Sequence, residues 1–185
     1  MVFAWTVLVV VAAAIAVLLA YTVRTGISPV PTTPRVARAM VDLVPADNEG
    51  SIYELGSGWG NLAARFARAF PERRVVACEL SPLPYLVSRI RQALFPRPNL
   101  TIRRGDFLRL GLADAGLVCC YLYPRGMRRL RTKFEAELRP GAVVVSNSFE
   151  VPGWVPVRAV AAEDQYATPV YLYALPASAR AGAAR

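Results

Sequence analysis

The sequence contains no histidine, and this absence removes several kinds of catalytic site. It excludes Ser-His-Asp and Cys-His nucleophiles, histidine-ligated zinc and a histidine general base. Cysteine is scarce as well: of three cysteines in 185 residues, Cys119 and Cys120 are adjacent in an apolar run. Such spacing makes neither a disulfide framework nor a metal site, and it indicates a reducing compartment.

Acidic residues are few, which leaves the chain strongly basic. There are 22 basic and 13 acidic residues, a net charge of +9, and Lys133 is the only basic residue that is not arginine. This balance favours an anionic partner, whether lipid headgroups, nucleic acid or an acidic protein, without choosing among them. Hydrophobic residues make up 55% of the chain, so it can bury the core of a single domain.

One long segment near the N-terminus, Val2–Val23, carries no charge. It is long enough to cross a hydrocarbon core of about 30 Å, so we predict one transmembrane helix. A cleaved signal peptide is the alternative, but the segment has no basic n-region and is long for one. The nearest basic residues, Arg24, Arg35 and Arg38, all follow the segment. The positive-inside rule therefore predicts that the rest of the chain is cytoplasmic, with these arginines available to anionic lipid.

The remaining sequence divides into a linker at residues 24–34, a domain at 35–176 and a frayed tail at 177–185. Along the domain, short apolar runs alternate with helical patterns, which predicts a parallel sheet covered by helices on both faces. The predicted strands are Ser51–Leu55, Val75–Cys78, Leu100–Arg103, Leu117–Tyr121, Ala142–Ser146, Val157–Val160 and Val170–Leu175. We interpret the last two as a hairpin. The predicted fold is therefore α/β, with a seven-stranded, mostly parallel sheet.

Helices are predicted between these strands. The first begins at Pro34 with Thr33 as its cap, and the second covers Asn61–Phe70. A third begins at Pro82. It carries three apolar residues at helical spacing: Leu86, Ile90 and Leu94. A fourth precedes the fifth strand and presents an apolar face of Met127, Leu130, Phe134 and Leu138.

The sharpest motif lies at residues 53–61, YELGSGWGN, between the first predicted strand and its helix. Its glycines permit a tight turn and let a ligand approach the backbone at a helix N-terminus. A dinucleotide fingerprint, G-x-G-x-x-G, would need another glycine where the chain has Asn61, which disfavours a nicotinamide-dependent oxidoreductase. The spacing is instead E-x-G-x-G-x-G, which resembles motif I of class I S-adenosylmethionine-dependent methyltransferases.

The resemblance implies S-adenosylmethionine as the cofactor and a set of residues around it. In motif I these are Glu54, Gly56, Ser57, Gly58 and Gly60. Glu79, followed by Leu80, ends the second strand about where an acid reaches ribose hydroxyls in this architecture. Asp106 and Phe107 follow the third strand, where the methyltransferase pattern places contacts to adenine, and Thr33 completes the set. Each acid has a structural alternative: Glu79 as a solvated strand-end charge and Asp106 as a helix cap.

Three stretches narrow the resemblance: Pro29–Thr33, the Glu-Leu-Gly-Ser-Gly loop, and Phe149–Pro156 with its F-x-x-P-x-W-x-P spacing. They are similar to the membrane-anchored lysine methyltransferases of the ATP synthase c-subunit and of adenine nucleotide translocase, which place one hydrophobic segment before a class I methyltransferase domain. The resemblance implies N-methylation of a lysine that lies near the bilayer in a membrane protein. Where that family usually continues Gly-Asp-Gly-Arg, this chain has Trp59 and Asn61 in the second and fourth positions.

Methyl transfer is an in-line displacement, which needs positioning and exclusion of water rather than a metal. A lysine acceptor must first lose a proton, because its ordinary pKa is about 10.4. Without histidine, the candidates to position the amine or accept the proton are Tyr121, Tyr123 and Glu150, with Trp154 as a wall of the acceptor slot. Ordinary packing at the strand ends accounts for these aromatics equally well.

Several alternatives stay open. The chain lacks the [DN]-P-P-[YF] motif of many enzymes that methylate planar amines, and no aromatic and basic platform is evident, which disfavours nucleic acid. The basic cluster at residues 125–133 is typical of a solvated helix face, with phosphate or lipid contacts as the alternative. A tethered active site would also suit a lipid or small hydrophobic acceptor. A non-catalytic interaction module on the same fold is the alternative of a different class.

Overall fold

The computed structural model describes residues 1–25 and 30–175. Part of the predicted linker, 26–29, and the whole predicted tail lie outside the described residues. The first helix, α1 (Val2–Thr25), is apolar over Val2–Thr22 and long enough to cross a membrane. A signal sequence would meet the same criteria of length, position and composition.

A seven-stranded sheet forms the centre of the structure. Its strands are β1 (Ser51–Leu55), β2 (Val75–Glu79), β3 (Leu100–Arg104), β4 (Ala115–Cys120), β5 (Val143–Asn147), β6 (Arg158–Ala161) and β7 (Pro169–Ala174). Their order across the sheet is β3-β2-β1-β4-β5-β7-β6. The first five are parallel, and β7 runs antiparallel to both β5 and β6. The predicted sheet and its closing hairpin are confirmed.

Helices cover both faces of this sheet. They are α2 (Pro34–Asp42), α3 (Asn61–Ala69), α4 (Pro82–Leu94) and α5 (Pro124–Glu137), with a short 3-10 helix at Phe107–Arg109. Because side chains alternate along a strand, β1 serves two cores. Ile52 packs with α2 and α3 on one face, whereas Tyr53 and Leu55 pack with α5 on the other.

Helix α4 packs inward through two small residues, Pro84 and Ser88, rather than through its large apolar stripe. Leu86, Ile90 and Leu94 are 53%, 50% and 67% exposed, whereas Ser88 is buried. A Cβ built on Gly60 would lie only 2.8 Å from the Ser88 Cβ, so α4 approaches the start of α3 closely. An apolar stripe at this spacing ordinarily marks a core face, but here it faces outward.

Candidate active site

A cleft of about 790 Å³ opens at the carboxyl ends of β1 to β4. In open α/β sheets this edge is where ligands bind, because the loops that follow the strands meet there. The cleft is lined by the motif loop, by the residues that follow β2 and β3, and by the first turns of α5. Val30, Pro31 and Thr32, from the segment before α2, form a further wall.

The glycine-rich loop after β1 bends through left-handed backbone at Gly56, Gly58 and Gly60, with φ of +77°, +51° and +75°. Residues with a side chain rarely adopt such values. A Cβ on Gly58 would meet no atom within 4 Å, and Gly58 lines the cleft. Gly60 instead accommodates α4 and is not among the cleft-lining residues. The two glycines therefore serve different purposes: space for a ligand and close packing of a helix.

Glu79, buried at the end of β2, holds the motif loop in place. Its Oε2 accepts a hydrogen bond from the Gly58 N–H, and its Oε1 accepts one from the Ser81 N–H, both at 2.7 Å. The carboxylate lines the cleft together with Leu80. Each oxygen has a second lone pair, so the same carboxylate can accept hydrogen bonds from vicinal hydroxyls of a ligand.

Three polar atoms of the motif are buried and lack a hydrogen-bond partner among the described residues: Glu54 Oε2, Ser57 Oγ and Asn61 Oδ1. All three residues line the cleft. The pKa of Glu54 is raised to about 8, chiefly because its carboxyl group is buried. A hydrogen bond from the Ala63 backbone lowers this pKa, and the nearby Glu79 carboxylate raises it. Unpaired buried polar groups cost free energy, so this corner suits a ligand that carries hydrogen-bond donors, above all an ammonium group.

Asp106 caps a helix, which is the structural role predicted for it as the alternative to ligand binding. Its Oδ1 accepts from the Leu108 N–H at 2.9 Å and caps the short 3-10 helix. Asp106 and Phe107 nevertheless both line the cleft. A carboxylate can accept several hydrogen bonds, so capping leaves room for a contact to a ligand.

Lys133 is the exception in the basic cluster at residues 125–133, whose four arginines are exposed as expected of a solvated helix face. It is only 7% exposed, and its Nζ donates to the Leu108 carbonyl at 3.1 Å. It also pairs with Glu137 Oε1 at 2.5 Å, and Glu137 Oε2 accepts from the Leu112 N–H at 3.1 Å. The ion pair therefore fastens the loop that follows β3 to helix α5.

Two tyrosines and a phenylalanine form an aromatic cluster at the ends of β4 and β5. Tyr121 lines the cleft and stacks on Phe149, with ring centroids 6.1 Å apart. Tyr123, which is 42% exposed, packs against the same Phe149 ring, with the two ring centroids 5.3 Å apart. Ser148 adopts left-handed backbone, φ +64°, immediately before Phe149. Phe149 appeared in the sequence only as the first residue of the aromatic-proline stretch, which was the signal available to find it.

Of the four candidate acceptor residues, Tyr121 lines the cleft, whereas Tyr123, Glu150 and Trp154 are not among its lining residues. Glu150 is exposed. The Trp154 ring packs on Phe134 and Tyr173, with centroids 6.1 and 5.9 Å away, and its Nε1 donates to Glu135 Oε1 at 3.1 Å. Trp154 therefore stabilises the turn that carries Phe149.

Thr33 is also outside the cleft lining, because its side chain is used to start α2. Its Oγ1 accepts from the Val36 N–H at 3.4 Å, as its predicted role of helix cap requires. The adjacent Thr32 lines the cleft instead.

Five arginines that were not predicted as site residues line the cleft: Arg103, Arg104, Arg109, Arg125 and Arg129. They come from the last residues of β3, from the short 3-10 helix that follows it and from the start of α5. Their positions at or soon after the ends of strands, where the ligand edge of the sheet lies, are the signal that could have found them. In residues 1–25 and 30–175, no group of three or more Cys, Asp or Glu side chains is placed to hold a metal ion.

Comparison with known proteins identifies the chemistry of this cleft. The family model described as the ANTKMT methyltransferase domain matches residues 54–158, from the acid of the motif loop to the start of β6. The chain belongs to this methyltransferase family. It is therefore an S-adenosylmethionine-dependent methyltransferase, and the cradle around Gly58 with its unpaired polar atoms fits that cofactor.

Curated relatives of the methyltransferase act on lysine. A protein-lysine N-methyltransferase of Saccharolobus islandicus (strain REY15A) is 31% identical over 153 residues, which cover 79% of this chain and 92% of the relative. The adenine nucleotide translocase lysine N-methyltransferase of Mus musculus is 32% identical over 114 residues, 60% of this chain. The lysine N-methyltransferase of the ATP synthase c-subunit from Rattus norvegicus is 30% identical over 131 residues, 69% of this chain. The methyltransferase spans 48% and 58% of these two mammalian proteins.

Solved structures confirm the class I methyltransferase fold. The RNA methyltransferase from Salinibacter ruber, in complex with S-adenosyl-L-homocysteine, superimposes with a TM-score of 0.71 at 31% identity. The match covers 80% of this methyltransferase and 94% of that chain. Precorrin-6y C5,15-methyltransferase from Geobacter metallireducens, at 17% identity and a TM-score of 0.60, shares the fold.

Proposed function

We propose that this methyltransferase N-methylates a lysine of a membrane protein, and that α1 anchors the catalytic domain, residues 35–176, on the cytoplasmic side of the same membrane. The observation that carries the proposal is the aromatic cluster of Tyr121, Tyr123 and Phe149 beside the cofactor cleft, in a chain whose curated relatives are lysine N-methyltransferases. Aromatic rings at this position offer an apolar, cation-tolerant surface to a lysine side chain.

The cofactor supplies an electrophilic methyl group on a sulfonium sulfur. We assign its amino-acid portion to the motif loop, where Glu54 offers an unpaired carboxylate oxygen and Gly58 leaves open space. We assign the ribose hydroxyls to Glu79. The adenine then lies towards three residues that line the cleft: Leu80, Asp106 and Phe107. Thr33 contributes by starting α2 and so fixing the wall formed by its neighbours.

The acceptor amine must be neutral when it attacks, and the site favours that form by burial. Desolvation disfavours an ammonium, which lowers the pKa of a lysine that enters an apolar slot. We assign to Tyr121 the contact with the incoming lysine, and to the Tyr123 hydroxyl the task of orienting the amine by a hydrogen bond. Glu150 lies at the outer rim, and Trp154 supports the wall by holding the turn that carries Phe149.

A transfer assay tests the proposal directly. The purified full chain is incubated with methyl-labelled S-adenosylmethionine and membranes from cells that lack the enzyme, and the protein, lipid and RNA fractions are then separated. We expect label in a membrane protein, mapped by mass spectrometry to lysine. The Gly58→Arg variant serves as the control that cannot bind the cofactor. Label confined to lipid or RNA would contradict the proposal.

Tyr121 and Tyr123 are tested in the same assay. Tyr121→Phe and Tyr123→Phe retain the rings that pack on Phe149 and remove only the hydroxyls. If the Tyr123 hydroxyl orients the amine, Tyr123→Phe lowers kcat by about 10- to 100-fold and leaves the cofactor affinity unchanged. An unchanged kcat in Tyr123→Phe would remove the residue from the reaction.

RNA is the second candidate acceptor, and one observation favours it. The arginines that line the cleft, Arg103, Arg104 and Arg125 among them, suit a phosphate backbone, and a solved relative at 31% identity is named an RNA methyltransferase. The RNA fraction of the transfer assay decides between the two. A lipid or small hydrophobic acceptor is the third outcome that the same separation would detect.

A further inference from the structure

Helix α4 buries two small residues, Pro84 and Ser88, and turns an apolar stripe outward. Its outward face carries Leu86, Ile90 and Leu94, each at least half exposed, and Phe95 follows at 66% exposure. On the inward face Ser88 is buried, and Gln92 donates hydrogen bonds to the Arg97 and Leu100 carbonyls. A helix on the edge of a soluble domain ordinarily has the opposite orientation, because apolar exposure to water is unfavourable.

Arginines border this apolar stripe on both sides. At helical spacing, Arg89 falls on one side of Leu86 and Ile90, and Arg91 falls on the other. Arg89 donates to the Tyr85 hydroxyl and Arg91 to the Trp59 carbonyl, and each guanidinium has further N–H donors. The sequence contains no acid between Glu79 and Asp106. An apolar face with a basic border and no acid is the pattern of a helix that lies on an anionic membrane surface.

Helix α1, which lies next to α4, also exposes large apolar side chains. Helix α1 contacts α4, and α1 has the composition of a membrane span. If α1 crosses the bilayer, the element that it touches lies where α1 leaves the bilayer. A second copy of the chain suits this face less well, because two arginine-bordered stripes would place like charges together.

We propose that the outer face of α4, formed by Leu86, Ile90, Leu94 and Phe95, lies on the surface of an anionic lipid bilayer next to α1. The inference rests on the proposed anchor and goes beyond it, because it fixes the orientation of the domain. Arg91 contacts the carbonyl of Trp59, which lines the cleft, so the docked helix places the cleft beside the headgroups. The enzyme then meets lysines at the membrane boundary.

Depth-dependent quenching tests the orientation. The full chain is reconstituted in vesicles of phosphatidylcholine with a minority of phosphatidylglycerol, and a fluorophore is attached to Ile90→Cys or, as the control, Gln165→Cys. Gln165 is exposed between β6 and β7, near the opposite edge of the sheet. The native cysteines are buried, and burial raises the pKa of Cys78 to about 11 and of Cys120 to about 12, so they react poorly with the label.

We expect nitroxides on lipid near the headgroups to quench the Ile90 probe several-fold more than the Gln165 probe. Equal quenching of the two probes in protein that floats with the vesicles would overturn the inference and leave the anchor intact. Shielding of the Ile90 probe from water without quenching by lipid would also overturn it, and would point to a protein on this face. If the full chain fails to float, the anchor and the inference both fail. Failure of the transfer assay with a normally embedded probe would overturn the proposed function alone.

A functional variant gives an independent test. Ile90→Glu with Leu94→Glu places two charges on the stripe, at positions whose exposure leaves the fold unaffected. We expect methylation of the membrane acceptor to fall at least several-fold, with unchanged melting temperature and cofactor affinity. Gln165→Glu is the matched control and should keep the rate. An unchanged rate in the double variant would overturn the inference.

Discussion

At the scale of single residues, Gly58 combines left-handed backbone with open space beside the cofactor cleft. We expect Gly58→Arg to abolish binding of S-adenosylhomocysteine, measured by titration calorimetry, because the side chain would fill the cleft. The backbone strain should cost only about 1–2 kcal/mol of stability. Gly141→Arg is the matched control, since Gly141 has φ of +82°, has equally open space and precedes β5 at the opposite end of the sheet. Its affinity should stay normal.

Glu79 accepts hydrogen bonds from two backbone N–H groups and is assigned to the ribose. We expect Glu79→Ala to weaken cofactor binding by about 1.5–3 kcal/mol, the scale of hydrogen bonds to a charged group. Asp114→Ala is a suitable control, because Asp114 binds Ser51 and Tyr53 at the amino ends of the strands. That variant should lose stability and retain cofactor affinity. Normal affinity in Glu79→Ala would refute the assignment.

Glu54 predicts a pH dependence of stability. Burial raises its pKa from 4.5 to about 8, so the folded protein retains the proton that the unfolded chain releases. The stabilising contribution is complete below pH 4.5 and is lost as the pH rises through about 8. In melting curves of the cofactor-free protein, the stability of Glu54→Gln relative to the wild type should therefore increase as the pH rises from 4.5 to about 8. Parallel curves would show that Glu54 titrates normally.

At the scale of elements, the Lys133–Glu137 pair joins α5 to the loop after β3. We expect Lys133→Met to lower the free energy of unfolding by about 2 kcal/mol in urea titrations, because Glu137 and the Leu108 carbonyl lose their buried partner. Cofactor affinity should fall as well, since the loop carries Asp106. Arg131→Met breaks the exposed pair with Glu135 in the same helix and an exposed hydrogen bond to the Pro152 carbonyl, and should cost only about 1 kcal/mol. Equal losses would contradict the role of burial.

Elements were predictable where local pattern and chemistry agree. The central strands β1, β2, β4 and β5 are short buried runs bounded by turn residues, and the motif loop lies between a strand and a helix, so both followed from spacing. Burial of Lys133 was not predictable, because it depends on a carbonyl far away in the chain. The outward face of α4 was missed for a related reason: periodicity identifies an apolar face without saying what covers it. The position of Trp154 similarly depends on Phe134 and Tyr173, which only the tertiary fold brings together.

At the scale of the whole molecule, the net charge of +9 should act together with the proposed anchor. We expect anionic vesicles to accelerate methylation of an embedded acceptor relative to neutral vesicles, because surface arginines orient the domain towards the headgroups. Added salt should remove the advantage, since the Debye length falls from about 10 Å at 0.1 M to about 3 Å at 1 M. Initial rates with a soluble acceptor peptide are the control. A rate difference that persists at high salt would exclude an electrostatic origin.

Because Lys133 is buried, it is not accessible as a methyl acceptor to another copy of the enzyme. It is the only lysine in the chain, and its amine is held between a carboxylate and a carbonyl. Many copies concentrated on one membrane would therefore present one another with no accessible lysine side chain. Self-modification on lysine is excluded while the enzyme is folded, so cofactor is not consumed in that side reaction. Methyl-lysine formed by the purified enzyme in vesicles with one added protein would therefore belong to that protein.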